Sequence, residues 1–399
     1  MKTLVLNCGS SSIKYKLFDM VSGEVMAQGG VERIGLPGSS LKFVNEDGEK
    51  VEIKREIEGH DDGIEFILNI LTDWQHGCLG DLNEIEAVGH RVVHGGEKFS
   101  SSVLIDQEVI DKVIECAELA PLHNPANLKG IYAIQKILPN TPQVAVFDTA
   151  FHQTMPDYAY MYGLPYEFYE KYAVRRYGFH GTSHRYVSKR ACDILGVPYE
   201  KQRIITAHIG NGCSMTAIKF GQSIDTSMGM TPSEGLLMGT RSGDVDPAVL
   251  SFLMIKEGFK PSEMCDMINK TSGVLGISGV SSDMRELIVA KRAGNPRAIL
   301  AQKVYNYRIK KYIGAYTAAM GGLDILVFTG GVGENQFTMR KAVCDDMEYL
   351  GIILDDSKND NMQGKEMIIS TPDSKATVMV VPTNEEYIIA ADTQAILSK

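Results

Sequence analysis

A strand, a short polar turn and a second strand occur twice in this 399-residue chain, about half a chain apart. In the first copy, residues 4–6 and 13–18 carry strand patterns on either side of Gly9, Ser10, Ser11 and Ser12. In the second, residues 203–207 and 213–219 flank His208, Ile209, Gly210, Asn211 and Gly212. A chain this long exceeds one ordinary core, so a unit rebuilt at mid-chain points to two similar α/β halves. The boundary is expected near residue 150, giving domains 1–150 and 151–385, with a last helix at about 386–399 packing back on the first.

The segments between the turns alternate in the same way. Ile64, Ile67, Leu68 and Leu71 recur at helical spacing, with Asp61 or Asp62 as the expected cap and Trp74 expected to pack near the helix end. Residues 85–88 read as a strand entering Gly89, His90 and Arg91. Helices are predicted over 106–120, closed by Pro121, and from Pro125 to about Leu138. Residues 143–147 form an apolar strand with Asp148 at its C-terminal end. In the second half, Asp246-Pro247 and Asn295-Pro296 each supply a cap and a first-turn proline. Residues 324–328 read as a buried strand running into a glycine turn through Gly330, Gly331, Val332, Gly333, Glu334 and Asn335. Asn384 caps the last helix, with Glu385 and Glu386 in its first turn.

A net charge of −10, from 50 acidic and 40 basic residues, argues against nucleic-acid or membrane-surface partners. Anionic substrates would need cations concentrated locally. The seven cysteines are scattered, odd in number and form no C-x-x-C pair, so neither disulfides nor structural zinc is indicated, and a reducing cytoplasm fits best. The apolar start is too short for an export signal, and no segment approaches a membrane span.

Two common nucleotide motifs are missing. Gly364-Lys365 is followed by Glu366, which is no P-loop, and Met215 and Gln336 stand where a dinucleotide fingerprint needs its third glycine. In their place stand separate turns. Asn7, Ser10, Ser12 and Lys14 offer an amide, hydroxyls and an ammonium suited to phosphate oxygens and hydrated Mg²⁺, although a solvated serine hairpin has the same composition. Arg91, before Gly95 and Gly96, has a fork that could grip a carboxylate or phosphate, or could form a surface ion pair. Arg241 sits in Gly239, Thr240, Ser242 and Gly243, all too small to bury it. His180 lies between Phe179 and Gly181, a setting for a pocket wall or for a structural histidine. His184, four residues on, is assigned to structure, because no third zinc ligand accompanies it. Asp148 is either a functional carboxylate at a sheet end or a cap. A Ser-His-Asp hydrolase would need a G-x-S-x-G elbow, which is absent.

Together these segments resemble the acetate kinase family over the whole chain. The matching stretches are VLNCGSSSIK at 5–14, GHRVVHGG at 89–96, FDTAFHQTMP at 147–156, RRYGFHGTSH at 175–184, AHIGNG at 207–212, GTRSGDVDP at 239–247, SSDMRE at 281–286, TGGVGEN at 329–335 and PTNEE at 382–386. Ser233 departs from the pattern, where such sequences often carry leucine. The resemblance implies the superfold shared by acetate and sugar kinases, heat-shock chaperones and actin. In it, two duplicated ribonuclease-H-like (actin-like ATPase) domains face each other across an active-site cleft.

The resemblance further implies reversible in-line phosphoryl transfer between ATP and acetate, giving acetyl phosphate and ADP, with propionate a weaker substrate. It places Asn7 and Glu385 near Mg²⁺, with Mn²⁺ able to substitute, and Ser10, Ser12 and Lys14 around the transferring phosphate. The nucleotide would meet His208, Ile209, Gly210, Asn211, Gly212, Asp283, Met284, Arg285, Gly331, Val332, Gly333, Glu334 and Asn335. Val93, Leu122, Phe179 and Pro232 would form the acyl pocket, and Arg91, Asp148, His180 and Arg241 the reacting centre. A homodimer through the second domain is implied as well. A chaperone-like ATPase would need a peptide-binding module, and a sugar kinase a polar pocket in place of the four apolar residues.

Overall fold

A computed structural model describes residues 1–121, 123–361 and 364–398. They divide into two compact units, Met1–Phe151 with Asn384–Lys399, and His152–Thr383. Asn384 and Glu385 therefore belong with the first unit.

The first unit holds an eight-stranded sheet: β1 (Lys2–Cys8), β2 (Ser12–Asp19), β3 (Glu24–Glu32), β4 (Ser40–Asn45), β5 (Lys50–Lys54), β6 (Ala87–Val92), β7 (Val103–Leu104) and β8 (Gln143–Phe147), in the order β5-β4-β3-β2-β1-β6-β8-β7. β1 pairs antiparallel with β2 and parallel with β6, β6 runs parallel to β8, and β7 adds antiparallel to β8. The second unit is built from β9 (Arg203–Ile209), β10 (Cys213–Lys219), β11 (Gln222–Thr226), β12 (Ile325–Thr329), β13 (Met367–Ile368) and β14 (Thr377–Val380), in the order β11-β10-β9-β12-β14-β13. Its pairings match those of the first: antiparallel β9–β10, parallel β9–β12 and β12–β14, then antiparallel β13–β14. Both sheets thus share one plan, a meander of three strands joined to two parallel ones with a short antiparallel edge, and the first sheet extends the meander by β4 and β5.

Alternation along β1 shows how the first sheet is buried on both faces. Leu4, Leu6 and Cys8 enter the core shared with the helix His60–Leu71, whereas Val5 joins Val144, Val146, Ile389 and Ala390 under the helix Glu385–Leu397. Burying each such aliphatic side chain contributes about 1.5–3 kcal/mol. Gly89 sits in the middle of β6, where a Cβ would come within 2.6 Å of Ile389 Cγ2 and Thr393 Oγ1. That close approach, and no turn, is why glycine is there.

The chain exchanges its closing helices. The helix Gly181–Leu195 follows β8 but packs on β9 and β12, and Glu385–Leu397 follows β14 but packs on β1, β6 and β8.

Several sequence expectations are corrected. Asp61 and Asp62 lie in the first turn of His60–Leu71, and Gly59 is its cap. Trp74, expected to pack near the helix end, is 91% exposed. β6 begins two residues later than expected and carries Gly89, His90 and Arg91 as strand residues. The helix after Asp106 ends at Glu115 and tightens into a 3₁₀ turn. His208 and Ile209 belong to β9, and Gly330–Asn335 is a short helix, because Glu334 folds back to accept the Gly330 N–H at 2.9 Å.

Candidate functional site

In the first unit the polar residues gather at the carboxyl ends of β1, β6 and β8, where open α/β sheets bind ligands. The β1–β2 turn is closed by Gly9 N–H donating to Ser12 O at 2.8 Å, and His60 Nε2 bonds Gly9 O at 2.6 Å. Ser10 and Lys14 are exposed and Ser12 half-buried. Lys14 is the cross-strand partner of Asn7. Arg91 donates from Nε to Asp148 Oδ1 at 3.0 Å and from Nη2 to Oδ2 at 2.5 Å, a two-pronged pair, and from Nη1 to Asn7 Oδ1 at 3.3 Å. Asp148 is buried, at 1% exposure, whereas the Arg91 side chain keeps 22%. This pair therefore aims one face of a guanidinium outward and fixes the other.

Glu385, first in its helix, has its carboxyl pushed up to about 7 by burial, opposed by Arg91 and Lys14 and reinforced by Asp148 and Glu386. Val93 is buried, its N–H donating to Asn127 Oδ1 at 3.0 Å, and His94 N–H donates to Asn124 Oδ1 at 3.1 Å. Asn124 and Asn127, three apart on the helix Asn124–Ile137, anchor the end of β6. Sequence reasoning missed both, although their helical spacing beside Pro125 was visible. His60 gave no such signal. Leu122 lies outside the described residues.

In the second unit His180 is held at φ 55° as the cap of Gly181–Leu195. Its Nδ1 bonds Ser214 Oγ at 2.8 Å, and its ring stacks on His208 with centroids 4.3 Å apart. Gly212, after the β9–β10 turn, faces both of the residues singled out here. A Cβ at that position would lie 3.7 Å from His180 Nε2 and 3.5 Å from Arg241 Nη1. Arg241 Nη1 donates to Pro232 O at 3.1 Å, and no carboxylate among the described residues pairs with it. Burial consequently lowers its pKa. Phe179 is buried, its carbonyl bonded to His152 Nε2 at 3.0 Å, and Pro232 is half-buried.

A cavity of about 900 Å³ opens between the β9–β10 turn, the helix Met284–Arg292 and Gly330–Asn335. Gly210, Asn211, Asp283, Met284, Arg285, Gly331, Val332 and Asn335 line it, as do Ser282, which the 281–286 segment contains, and Ile288, Val289, Arg292 and Gln336, which the matching segments did not supply. Ile288, Val289 and Arg292 follow Arg285 by three, four and seven residues, so helix periodicity alone would have added them. His208, Ile209, Gly212, Gly333 and Glu334 are not part of the lining. Glu334 instead holds the N–H groups of Gly330 and Thr383, and His208 Nδ1 bonds Ser183 Oγ. Asp283 caps its helix and pairs with Arg285 at 2.6 Å.

A duplicated strand plan, with polar turns at the strand ends and a glycine-lined cavity in the second copy, places the chain in the actin-like ATPase fold class. Residues 2–391 match the acetokinase family. An acetate kinase of Parabacteroides distasonis is 72% identical over 399 residues, covering all of both chains. The crystal structure of a Porphyromonas gingivalis acetate kinase, 64% identical, superposes with a TM-score of 0.96 over 99% of both chains. A Francisella tularensis propionate kinase, 44% identical, gives 0.92 over 99% of both. The chain belongs to the acetokinase family, and it is an enzyme of the kinase class.

Proposed function

We infer that this chain catalyses reversible transfer of the γ-phosphoryl group between ATP and acetate, giving ADP and acetyl phosphate. Family membership over the full length supports the reaction. The observation that carries the chemistry is Arg241, a desolvated guanidinium with no carboxylate partner among the described residues, facing Gly212 beside His180. Such a cation is stabilised by an incoming anion, and most by one gaining charge.

An acetate oxygen attacks phosphorus as the bond from phosphorus to the β,γ-bridging oxygen breaks, and ADP leaves with that electron pair. Acetate is ionised at neutral pH, so no general base is needed. Arg91, fixed by Asp148 and Asn7, orients the acceptor carboxylate. Asp148 accordingly acts as a positioning group for Arg91. Arg241 and His180 offset charge on the equatorial oxygens of a loose transition state. Ser10, Ser12 and Lys14 contact the transferring phosphate, and the cavity beside Asn211, Met284 and Val332 takes the nucleoside. Val93, Phe179 and Pro232 supply apolar contact to the acyl methyl. Such contact discriminates an added methylene by about 1–3 kcal/mol, so propionate is a slower substrate.

No group of three potential ligands is preassembled among the described residues. Asn7 Oδ1 and the carboxylate of Glu385, crowded by Asp148 and Glu386, fit a divalent ion that keeps most of its ligands as water and phosphate oxygens. Mg²⁺ or Mn²⁺ held there would supply charge neutralisation at the phosphates. The helix Pro247–Glu257 leaves Phe252 and Ile255 exposed, in keeping with a homodimer through the second unit, and the seven free cysteines suit a reducing cytoplasm.

Hydroxylamine trapping of acyl phosphate from ATP, acetate and Mg²⁺ tests the assignment. Acetate-dependent hydroxamate is expected. Nucleotide hydrolysis without hydroxamate would refute it.

A further inference from the structure

Beneath His180 lies a chain of side chains that none of the roles above uses. Thr206 on β9, His184 on the helix Gly181–Leu195 and Ser214 on β10 are all fully buried. His184 Nδ1 is 2.7 Å from Thr206 Oγ1, His184 Nε2 is 2.7 Å from Ser214 Oγ, and Ser214 Oγ is 2.8 Å from His180 Nδ1. Each contact carries one proton, and two polarities could satisfy the middle of the chain.

Thr206 decides between them. Its hydroxyl has one side-chain partner among the described residues, His184 Nδ1. If His184 Nδ1 carried the proton, the Thr206 hydroxyl hydrogen would be buried with no acceptor, at a cost of about 1–3 kcal/mol. The favoured polarity therefore runs outward: Thr206 O–H donates to His184 Nδ1, His184 Nε2–H to Ser214 Oγ, and Ser214 O–H to His180 Nδ1. Every member is satisfied. His184 is kept neutral, as this requires, since burial and the imidazoles of His152 and His208 hold its pKa well below the ordinary range.

We propose that Thr206, His184 and Ser214 form a hydrogen-bond relay that fixes His180 as its Nε2–H tautomer, so that a neutral imidazole presents a donor toward Gly212 and Arg241. Ser214 and Thr206 are positioning residues, acting through His180 as a buried carboxylate acts on a catalytic histidine by selecting its tautomer. A neutral donor has a chemical advantage beside Arg241. It bonds a phosphoryl oxygen without adding a second desolvated cation to the same wall. The proposal rests on the role given to His180 above, but its first test does not.

With ¹⁵N-histidine-labelled enzyme, long-range ¹H–¹⁵N correlation should show His180 and His184 protonated on Nε2 and bare on Nδ1. Either residue found as the Nδ1–H form overturns the relay. Thr206→Val, an isostere without the hydroxyl, should mix the two tautomers of His184 and lower kcat by about threefold to tenfold with the KM for ATP unchanged, whereas Thr206→Ser should retain the parent spectrum and rate. Ser214→Ala, which frees the His180 ring, should lower kcat by at least tenfold. Parental spectra and rates in Thr206→Val and Ser214→Ala would refute the positioning role. His180→Ala separates the two ideas: a parental rate there removes the catalytic role of His180, while the tautomer assignment stands or falls by its spectrum.

Discussion

Replacing Arg241 by alanine separates a catalytic cation from a structural one, because its surroundings set two different magnitudes. In the folded protein the guanidinium donates to Pro232 O at 3.1 Å and more weakly to Met238 Sδ at 3.8 Å, with no ion pair among the described residues, while burial lowers its pKa. A hydrogen bond from a charged donor contributes about 1.5–3 kcal/mol. Relief from burying an unpaired cation offsets most of that. The variant should therefore unfold within about 1 kcal/mol of the parent. Loss of a preorganised donor at the transition state, by contrast, removes about 10²–10³ in kcat, or about 2.7–4 kcal/mol. Hydroxamate formation under saturating acetate gives kcat and the KM for ATP, and urea denaturation gives stability. The expected result is a large fall in kcat at near-parental KM and stability. A kcat within fivefold of the parent, or a stability loss that matches the loss of rate, would refute the reasoning.

Asp148→Asn leaves Arg91 with a neutral partner, so stability should fall by about 2–4 kcal/mol and turnover by about 10²; urea midpoints and rates measured together check this. Gly239→Ala would place a Cβ 1.8 Å from Oδ1 of the exposed Asn211 side chain and 3.1 Å from Ser282 O, so the KM for ATP should rise about tenfold while stability falls by about 1 kcal/mol; isothermal titration with ADP supplies a second readout. Asp225 has its carboxyl pushed up to about 6, chiefly by burial and against the pull of Arg176. A raised carboxyl stabilises the fold fully below its unfolded value near 4, and that contribution is lost as pH rises through about 6. Asp225→Asn should thus gain about 1–3 kcal/mol over the parent at pH 8 and nothing at pH 4, as pH-dependent urea denaturation would show.

Much of the fold was legible wherever local chemistry decides it. β8 and β10 were read with their true ends: residues 144–147 are an apolar run that suits a strand buried on both faces, and β10 is bounded by the glycine turn before Cys213 and the hairpin at Phe220 and Gly221. Asp246, Asn295 and Asn384 were read as caps, and each accepts N–H bonds from the first turn of its helix. Glycine misled where its reason is tertiary. Gly89 reads as following a strand that ends at residue 88, but it lies within β6 where the helix Glu385–Leu397 crosses it. Glu334 was expected at the nucleotide, and its carboxylate also ties together two backbone N–H groups, that of the nearby Gly330 and that of Thr383, 49 positions on. Trp74 shows the opposite error, a large apolar residue assumed to be buried and found in solvent.

The sequence by itself determined the repeated strand–turn–strand units, the residue types at each strand end and the family to which they belong, because spacing and composition are local properties. Only the tertiary structure decided which of those residues stabilise one another. Arg91 is neutralised by Asp148, 57 positions away, whereas Arg241 pairs with no described carboxylate, so two arginines alike in sequence differ in charge balance. It likewise set the direction proposed for the His184 hydrogen bonds, since a buried hydroxyl with one side-chain partner among the described residues is satisfied by donating to it. Pairing and polarity depend on which groups burial brings together, and segments far apart in the chain supply those groups.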